Sequence, residues 1–300
     1  MIDPLAALYA GWQKAIAERP DMSLEEVRGL FEHWGDVTAE PGGVDYIEDD
    51  AGGIEAMWAL PKVRVDDRVL LCMHGGGYVL GSMYSHRKLY GHFAKSAGCR
   101  ALIVNYRRAP ENLHPGPVDD MVGAYRWLIE DRGVSPTNIV FVGDSAGGAL
   151  AITTMLRAAE KGLPLPAASV PIAPYLDTEA TGESYLTNND LDALGNREAT
   201  IQFMGVFLGD GGDRRDPLAN PLFADLTGLS PMLIQVGGYD VLLDDSRMFA
   251  EKARAAGVDI ELEVAPGQQH VFHFLAGNAP EADAAIARAA GWIRVKLGLA

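Results

Sequence analysis

The sequence has little cysteine and no long apolar run. Its two cysteines, Cys72 and Cys99, are too few for a disulfide-stabilised scaffold, so we interpret them as buried free thiols in a reducing compartment. No apolar stretch reaches the roughly 18–20 residues that a membrane-spanning helix needs. The N-terminal residues include neither the basic nor the apolar part of a secretory signal. These absences predict a cytoplasmic protein without a membrane segment.

Positive charge is also scarce. The chain carries 25 Lys and Arg against 41 Asp and Glu, which gives a formal net charge of −16. Proteins bind phosphate backbones by neutralising them with cationic side chains, and this chain has no such surplus. We therefore expect neither nucleic acid nor an anionic membrane as a partner. The 48% hydrophobic and 22% charged residues are typical of a soluble globular protein.

Short apolar runs alternate with amphipathic segments from residue 69 onward. This alternation is typical of a mostly parallel sheet with helices on both faces. Strands are predicted at 44–47, 54–60, 69–73, 101–104, 139–142, 170–173, 233–236 and 260–264. Helices are predicted at 3–18, 23–33, 118–131, 146–160, 245–256 and 280–297.

One stretch breaks the alternation. Residues 178–225 contain no strand-like run, and an apolar helix is predicted within them at 201–208. A long insertion in a regular α/β chain is usually a lid or cap. We therefore divide the chain into N-terminal cap helices at 1–40, a cap insertion at 178–225, and a core formed by 41–177 and 226–300.

The run Gly143-Asp144-Ser145-Ala146-Gly147-Gly148 contains the pattern G-x-S-x-G. It follows a predicted buried strand and opens a predicted helix, which is the setting of a nucleophile elbow. Glycines flank the serine because the turn is too sharp for side chains at those positions. The alternative is a glycine-rich turn without chemistry.

A second glycine cluster, His74-Gly75-Gly76-Gly77, directly follows the strand predicted at 69–73. Consecutive glycines leave backbone N–H groups unobstructed, so this loop could direct donors at an oxyanion. The alternative is a flexible turn. Neither glycine cluster matches a dinucleotide or phosphate-loop fingerprint, and the sequence predicts no cofactor.

A serine nucleophile needs a base and an acid that orients it. Of seven histidines, we prefer His270, because it follows the last predicted strand and so faces the same sheet edge as the elbow. His273 could be an ordinary helical residue. The two histidines have metal-like spacing, but no further ligands accompany them, so no metal is predicted. Asp240 follows the strand at 233–236, whereas Asp244 and Asp245 are assigned to helix N-capping.

Together, these motifs resemble the hormone-sensitive-lipase-like group of α/β hydrolases, the bacterial family IV carboxylesterases. Where that group usually has Leu, Pro and Gly, this chain has Arg108, Val241 and Val271. None of these departures removes a reacting group. The resemblance covers roughly residues 44–297. It rests on the runs His74–Gly77, Tyr106–Glu111, Gly143–Gly148, Tyr239–Asp244 and His270–Phe272.

The resemblance implies an α/β-hydrolase fold with a mostly parallel eight-stranded sheet and a helical cap. It implies that Ser145 is the nucleophile, His270 the base and Asp240 the orienting acid. Further implied roles are an oxyanion hole made by Gly76, Gly77 and Ala146, and a substrate pocket to which we assign Phe203, Met204 and Phe207. It also implies a homodimer through the last strand and helix.

The expected activity is hydrolysis of small-molecule esters with short-to-medium acyl chains, without metal or organic cofactor. Within the group, the chain resembles small esterases that include monoterpene ε-lactone hydrolases. A lactone hydrolase, an amidase or a deacetylase would share the first chemical step and stays an alternative. A non-catalytic receptor with the same fold is a second alternative, although a receptor would be expected to have lost part of the triad.

Overall fold

The computed structural model describes residues 3–299. Its strands are β1 (Val44–Asp50), β2 (Glu55–Pro61), β3 (Val65–Met73), β4 (Cys99–Val104), β5 (Ile139–Asp144), β6 (Ala168–Ile172), β7 (Met232–Gly237) and β8 (Ile260–Ala265). Its helices are α1 (Pro4–Glu18), α2 (Leu24–Phe31), α3 (Met83–Ala97), α4 (Gly116–Glu130), α5 (Ala146–Glu160), α6 (Ser184–Thr187), α7 (Arg197–Leu208), α8 (Leu243–Ala255) and α9 (Pro280–Lys296).

The strands form one eight-stranded sheet in the order β1-β2-β4-β3-β5-β6-β7-β8. Strands β3 to β8 pair in parallel, and β2 pairs antiparallel with both β1 and β4. The predicted α/β fold with a mostly parallel eight-stranded sheet is thereby confirmed. In a parallel sheet the carboxyl ends of the strands share one edge, and loops from that edge build a common site.

Residues 69–73 of strand β3 are apolar without interruption and are buried on both faces of the sheet. Val69, Leu71 and Met73 pack into the core on one face of the sheet, and Leu70 and Cys72 pack into the core on the other. Successive side chains of a strand point to opposite faces, so a strand covered on both sides must be apolar at every position. Both cysteines of the chain are free and buried.

Two segments outside this sheet lie above the carboxyl edge. The N-terminal segment ends in a 3-10 helix at Glu32–Val37, where Trp34 stacks on Phe274 and Thr38 Oγ donates to the Phe274 carbonyl. The insertion 178–225 contains α6, α7 and a short 3-10 helix. Within residues 3–299, none of the helices combines the length and apolar character that crossing a bilayer requires.

Candidate active site

Ser145 occupies a sharp turn between β5 and α5. Its backbone has φ 53° and ψ −119°, a strained conformation that side-chain-bearing residues rarely adopt. A Cβ on Gly143 would overlap the Gly147 carbonyl, and one on Gly147 would overlap the Met73 carbonyl. Only glycine therefore fits at both positions, and the turn holds Ser145 at the carboxyl edge of the sheet, lining the cavity described below.

The loop after β3 lies beside this turn. Gly76 and Gly77 have φ of 112° and 60°, and both line the same cavity as Ser145. A Cβ on Gly76 would overlap the Leu80 carbonyl. Ala146 is the first residue of α5, so its N–H has no acceptor within the helix. This arrangement brings candidate oxyanion donors from two loops to one place.

His74 precedes the glycines but is buried away from the chemistry. Its Nδ1 lies 2.8 Å from the Gly75 carbonyl oxygen, and its ring stacks on Tyr106 at 4.2 Å between centroids. Burial, together with the neighbouring His86, lowers the pKa of His74 to about 3. A neutral, packed ring of this kind shapes the loop.

His270 and Asp240 form a buried pair. Asp240 follows β7 and His270 follows β8, and His270 Nδ1 lies 2.7 Å from Asp240 Oδ2. The other carboxylate oxygen of Asp240 accepts the Leu242 N–H at 2.8 Å. Burial lowers the pKa of His270, but the carboxylates of Asp240, Asp192 and Asp144 together outweigh it and raise that pKa above its ordinary value. With Nδ1 held by Asp240, Nε2 is left as the basic atom.

The neighbouring candidates have other contacts. His273 Nε2 lies 3.0 Å from Gln235 Oε1, and burial lowers the pKa of His273 to about 3. The N-capping roles predicted for Asp244 and Asp245 are wrong, because both residues lie within the first turn of α8 and their carboxylates bond other segments. Asp244 instead accepts the Ser184 N–H, and the buried Asp245 accepts the N–H groups of residues 176 and 177. Both carboxylates thus hold chain segments that precede or begin the insertion.

The side chain of Asp144, inside the serine motif, holds the Ser145 turn in place through buried polar contacts. Its Oδ1 accepts the Tyr90 hydroxyl at 2.5 Å, and its Oδ2 lies 3.2 Å from His86 Nε2. The Tyr90 hydroxyl oxygen also lies 2.6 Å from the Met73 carbonyl oxygen. The buried carboxylate therefore connects the turn carrying Ser145 to α3.

A cavity of about 1260 Å³ opens above these groups. Ser145, Asp240 and His270 line it together with Gly76 and Gly77. Much of the remaining wall comes from α1, α2 and the insertion, including Gln13, Ile16, Leu24, Val27, Asp192, Phe203 and Arg214. Among residues 3–299, no three His, Cys, Asp or Glu side chains are grouped as metal ligands would be.

The three residues predicted for the substrate pocket separate in the structure. Phe203 lines the cavity, and its ring lies so close to Gly77 that a Cβ there would meet it at 2.9 Å. Met204 and Phe207 do not line the cavity and are completely buried. Phe207 stacks on Tyr78 at 3.7 Å between centroids. The assignment of these two residues is corrected, because they lie on the face of α7 that packs into the core.

Sequence reasoning missed two residues that contact the acid and base loops. Tyr9 on α1 donates its hydroxyl to the His270 carbonyl at 3.1 Å. Asp192 in the insertion accepts the N–H of Val241, the residue after Asp240. Neither belongs to a local motif, and Tyr9 stands 261 positions from its partner. A single sequence holds no signal for such pairs.

Comparisons with known proteins identify the fold family and the kind of enzyme that this chain is similar to. A family model described as an alpha/beta hydrolase fold matches residues 70–274. An acetyl-hydrolase of Streptomyces hygroscopicus is 39% identical over 267 residues, which cover 89% of this chain and 87% of that protein. An esterase of Acinetobacter venetianus is 36% identical and covers 73% of this chain and 72% of its own length.

Solved structures are similar over almost the whole chain. One is an esterase from the bacterial hormone-sensitive lipase family, with a TM-score of 0.93 and 41% identity, covering 99% of this chain and 100% of that one. Another is a hormone-sensitive lipase from a metagenome library, with a TM-score of 0.91 and 35% identity, covering 98% and 97%.

Proposed function

This chain belongs to the hormone-sensitive-lipase-like esterases of the α/β-hydrolase family, and on that premise we propose that Ser145, His270 and Asp240 are its catalytic triad. The chain is a carboxylic ester hydrolase. The observation that carries the residue assignment is the convergence of the strained Ser145 turn and the His270–Asp240 pair on one cavity.

The first half of the reaction acylates the serine. Ser145 Oγ forms a bond to the ester carbonyl carbon while its proton moves to His270 Nε2. Asp240, bonded to Nδ1, stabilises the imidazolium that results. When the tetrahedral intermediate collapses, the bond from carbonyl carbon to alkoxy oxygen breaks, and Nε2 returns the proton to the leaving alcohol.

The second half regenerates the enzyme. Water gives a proton to His270 Nε2 as its oxygen attacks the acyl carbon. The bond to Ser145 Oγ then breaks, Oγ recovers the proton, and the carboxylic acid leaves. The N–H groups of Gly76, Gly77 and Ala146 would hold the oxyanion in both halves, at roughly 3–4 kcal/mol of transition-state stabilisation per donor.

The substrates that we propose are small esters with short-to-medium acyl chains. The similarity to an acetyl-hydrolase supports the short end of this range, and the cavity of about 1260 Å³ has room for longer chains. Phe203, which lines the cavity and contacts the loop of Gly77, would limit the space beside the oxyanion hole. Residues 1–40 and 178–225 would form the cap over the core at 41–177 and 226–300. The homodimer and the cytoplasmic location stay predictions.

The test is hydrolysis of p-nitrophenyl esters with acyl chains from two to twelve carbons, by wild type and Ser145→Ala. We expect wild-type activity to peak at four to eight carbons, and the variant to lose at least about 10³-fold in kcat. A fluorophosphonate probe should label wild type and leave the variant unlabelled. Near wild-type turnover by Ser145→Ala would refute the proposal.

The matching p-nitroanilide series separates esterase from amidase activity. Both reactions begin with the same attack by serine, but an amide nitrogen must be protonated to leave. We expect the esters to be hydrolysed at least about 10³-fold faster than the anilides. Equal rates would favour the amidase alternative.

A further inference from the structure

The loop 188–195 of the insertion, hereafter the insertion loop, contacts both turns that carry the proposed acid and base. Asn188 Nδ2 donates to the Asp240 carbonyl at 2.8 Å and to the Gly238 carbonyl at 3.1 Å. Gln269, next to His270, accepts the Ala193 N–H at 2.9 Å and donates to a carbonyl of the same loop. The insertion loop therefore bridges the ends of β7 and β8.

Asp192 is the ionisable residue at the centre of this bridge. It is 8% exposed and lines the cavity with Ser145. Its Oδ1 accepts the N–H groups of Leu194 and Gly195 at 2.8 and 2.9 Å. Its Oδ2 accepts the Val241 N–H at 2.9 Å. Backbone donors directed at both oxygens favour the ionised carboxylate.

The contact with Val241 fixes the turn that carries Asp240. The Leu243 N–H bonds the Asp240 carbonyl at 3.3 Å, so Val241 occupies the second position of a tight turn, where proline is favoured. Valine at this position leaves an N–H that needs an acceptor when it is buried. Asp192 supplies that acceptor. A Cβ on Gly195 would lie 3.1 Å from a Val241 methyl, so the two loops are in close contact.

The charge of Asp192 acts in the same place. The titratable groups around it are Asp240 after β7, His270 after β8 and Tyr9 on α1. Of these, His270 is the group that becomes cationic during the reaction. Burial and the Asp240 carboxylate raise the pKa of Asp192, and His270 opposes that rise. A carboxylate near His270 stabilises its imidazolium form.

We propose that Asp192 is a second acidic residue of the site, a positioning residue that fixes the Asp240 turn and stabilises the imidazolium of His270. Through it, the insertion takes part in setting the basicity of the triad. This inference rests on the triad proposed above. Asp192 moves no proton to or from the substrate, and it acts only through Asp240 and His270.

The test is the pH dependence of kcat/KM for Asp192→Asn, with p-nitrophenyl acetate as substrate. The amide keeps nearly the volume of the carboxylate and removes its charge. The pKa of His270 should fall, so the rise of kcat/KM with pH should move about half to one pH unit toward acid. The plateau kcat should fall about ten-fold, because the imidazolium loses a stabilising charge.

Two further variants separate charge from geometry. Asp190→Asn removes an exposed charge of the same loop, and it should leave the wild-type profile unchanged. Val241→Pro removes the N–H donor but keeps the Asp192 carboxylate, and it should retain the wild-type midpoint. A folded fraction that stays constant over the pH range does not change the midpoint of the profile, so under those conditions the midpoint remains informative if a variant is less stable.

An unchanged midpoint in Asp192→Asn overturns the inference, whatever happens to kcat. An equal shift in Val241→Pro also overturns it, because the effect would then not come from the charge. Labelling by the fluorophosphonate probe keeps the two proposals distinct. If Asp192→Asn is labelled and keeps the wild-type pH profile of kcat/KM, only the proposed role of Asp192 is refuted. Activity in Ser145→Ala would refute the proposed triad itself.

Discussion

The glycines beside Ser145 leave no space for a single methyl group. The Cβ of Gly147→Ala would overlap the carbonyl of Met73, whereas that of Gly291→Ala, in α9, has no atom within 4 Å. We expect Gly291→Ala to raise the free energy of unfolding by about 0.5–1 kcal/mol, because alanine is favoured over glycine in a helix. Gly147→Ala should lower it and abolish labelling by a fluorophosphonate. Urea denaturation measures both changes.

Comparing Gly147→Ala with Gly291→Ala allows this prediction to be refuted. Both variants replace a helical glycine by alanine. Gly147 lies in α5, which begins directly after Ser145, and Gly291 lies in α9, away from the site. If both variants gain stability and Gly147→Ala is still labelled, the turn tolerates a Cβ and the close approach of β3 to α5 is not essential.

The charge state of His270 predicts the pH profile. A general base must be neutral to accept a proton, and the nearby carboxylates raise the pKa of His270 above its ordinary value, against the effect of burial. We therefore expect kcat/KM to rise with pH to a plateau, with a midpoint above about 6.5, the value for a free imidazole. Rates measured from pH 5 to 10 with p-nitrophenyl acetate provide the check. A midpoint below that of free imidazole contradicts the prediction.

The same shift affects stability, with the opposite trend. A histidine whose pKa is raised on folding binds its proton more tightly in the folded state. Its contribution to stability is complete below the unfolded pKa and is lost as the pH rises through the folded value. The pH range in which His270 becomes active is therefore the range in which the Asp240–His270 pair stabilises the fold less.

Helix α2 is connected to the oxyanion loop by one side chain. Arg28 Nε donates to the Val79 carbonyl at 2.9 Å, and its Nη2 donates to the Ala109 carbonyl at 2.9 Å. Both guanidinium nitrogens Nη1 and Nη2 also bond Glu111, at 2.8 and 2.7 Å. Val79 lies two residues after Gly77, so Arg28 restrains the loop that would hold the oxyanion.

We expect Arg28→Ala to lower kcat about five- to ten-fold with a smaller effect on KM, since a looser oxyanion loop weakens transition-state binding more than substrate binding. Steady-state kinetics with p-nitrophenyl butyrate measures both. Arg19→Ala is the control, because Arg19 pairs only with the exposed Glu26 on the same segment. Equal losses in both variants would show that α2 acts through general stability.

The sheet was predictable from sequence because its central strands are buried on both faces. Such strands must be apolar at every position, and β5 was predicted at 139–142 against an observed end at Asp144. Strand β3 begins at Val65 rather than at 69. Val65 pairs with Cys99, and the exposed Asp66 and Asp67 lie in an irregular stretch before the pairing resumes at Val69. A strand segment with polar side chains is not predicted by a method that depends on hydrophobicity.

The cap side of the site could not be predicted to the same depth. The helix within the insertion was expected, and α7 is observed at Arg197–Leu208. Which of its residues face the cavity depends on how the helix is rotated against the core, and Phe203, Met204 and Phe207 differ in this respect. The contacts of Tyr9 and Asp192 with the base and acid loops join parts of the chain that are far apart in sequence.

The whole molecule carries an excess of negative charge. A net charge of −16 repels anionic substrates before they reach the cavity, and salt screens this repulsion. We expect kcat/KM for a p-nitrophenyl succinate monoester to rise several-fold between about 0.01 M and about 0.5 M salt. For the neutral p-nitrophenyl acetate it should stay constant. Parallel responses of the two substrates would mean that salt acts on the protein and not on substrate approach.

The hydrogen bond from Tyr9 to His270 has a consequence for how the chain is made. Tyr9 and His270 are 261 positions apart, so the ribosome releases the loop of His270 about ten to fifty seconds after α1 at ordinary synthesis rates. Until then, the part of the docking surface that residues 270–274 provide for Tyr9 and Trp34 is missing, and the apolar side chains that pack there are exposed. The loop that carries His270 and its contact with Tyr9 therefore form together, late in synthesis. A protein truncated before residue 270 would leave the apolar side chains that pack against this loop exposed permanently.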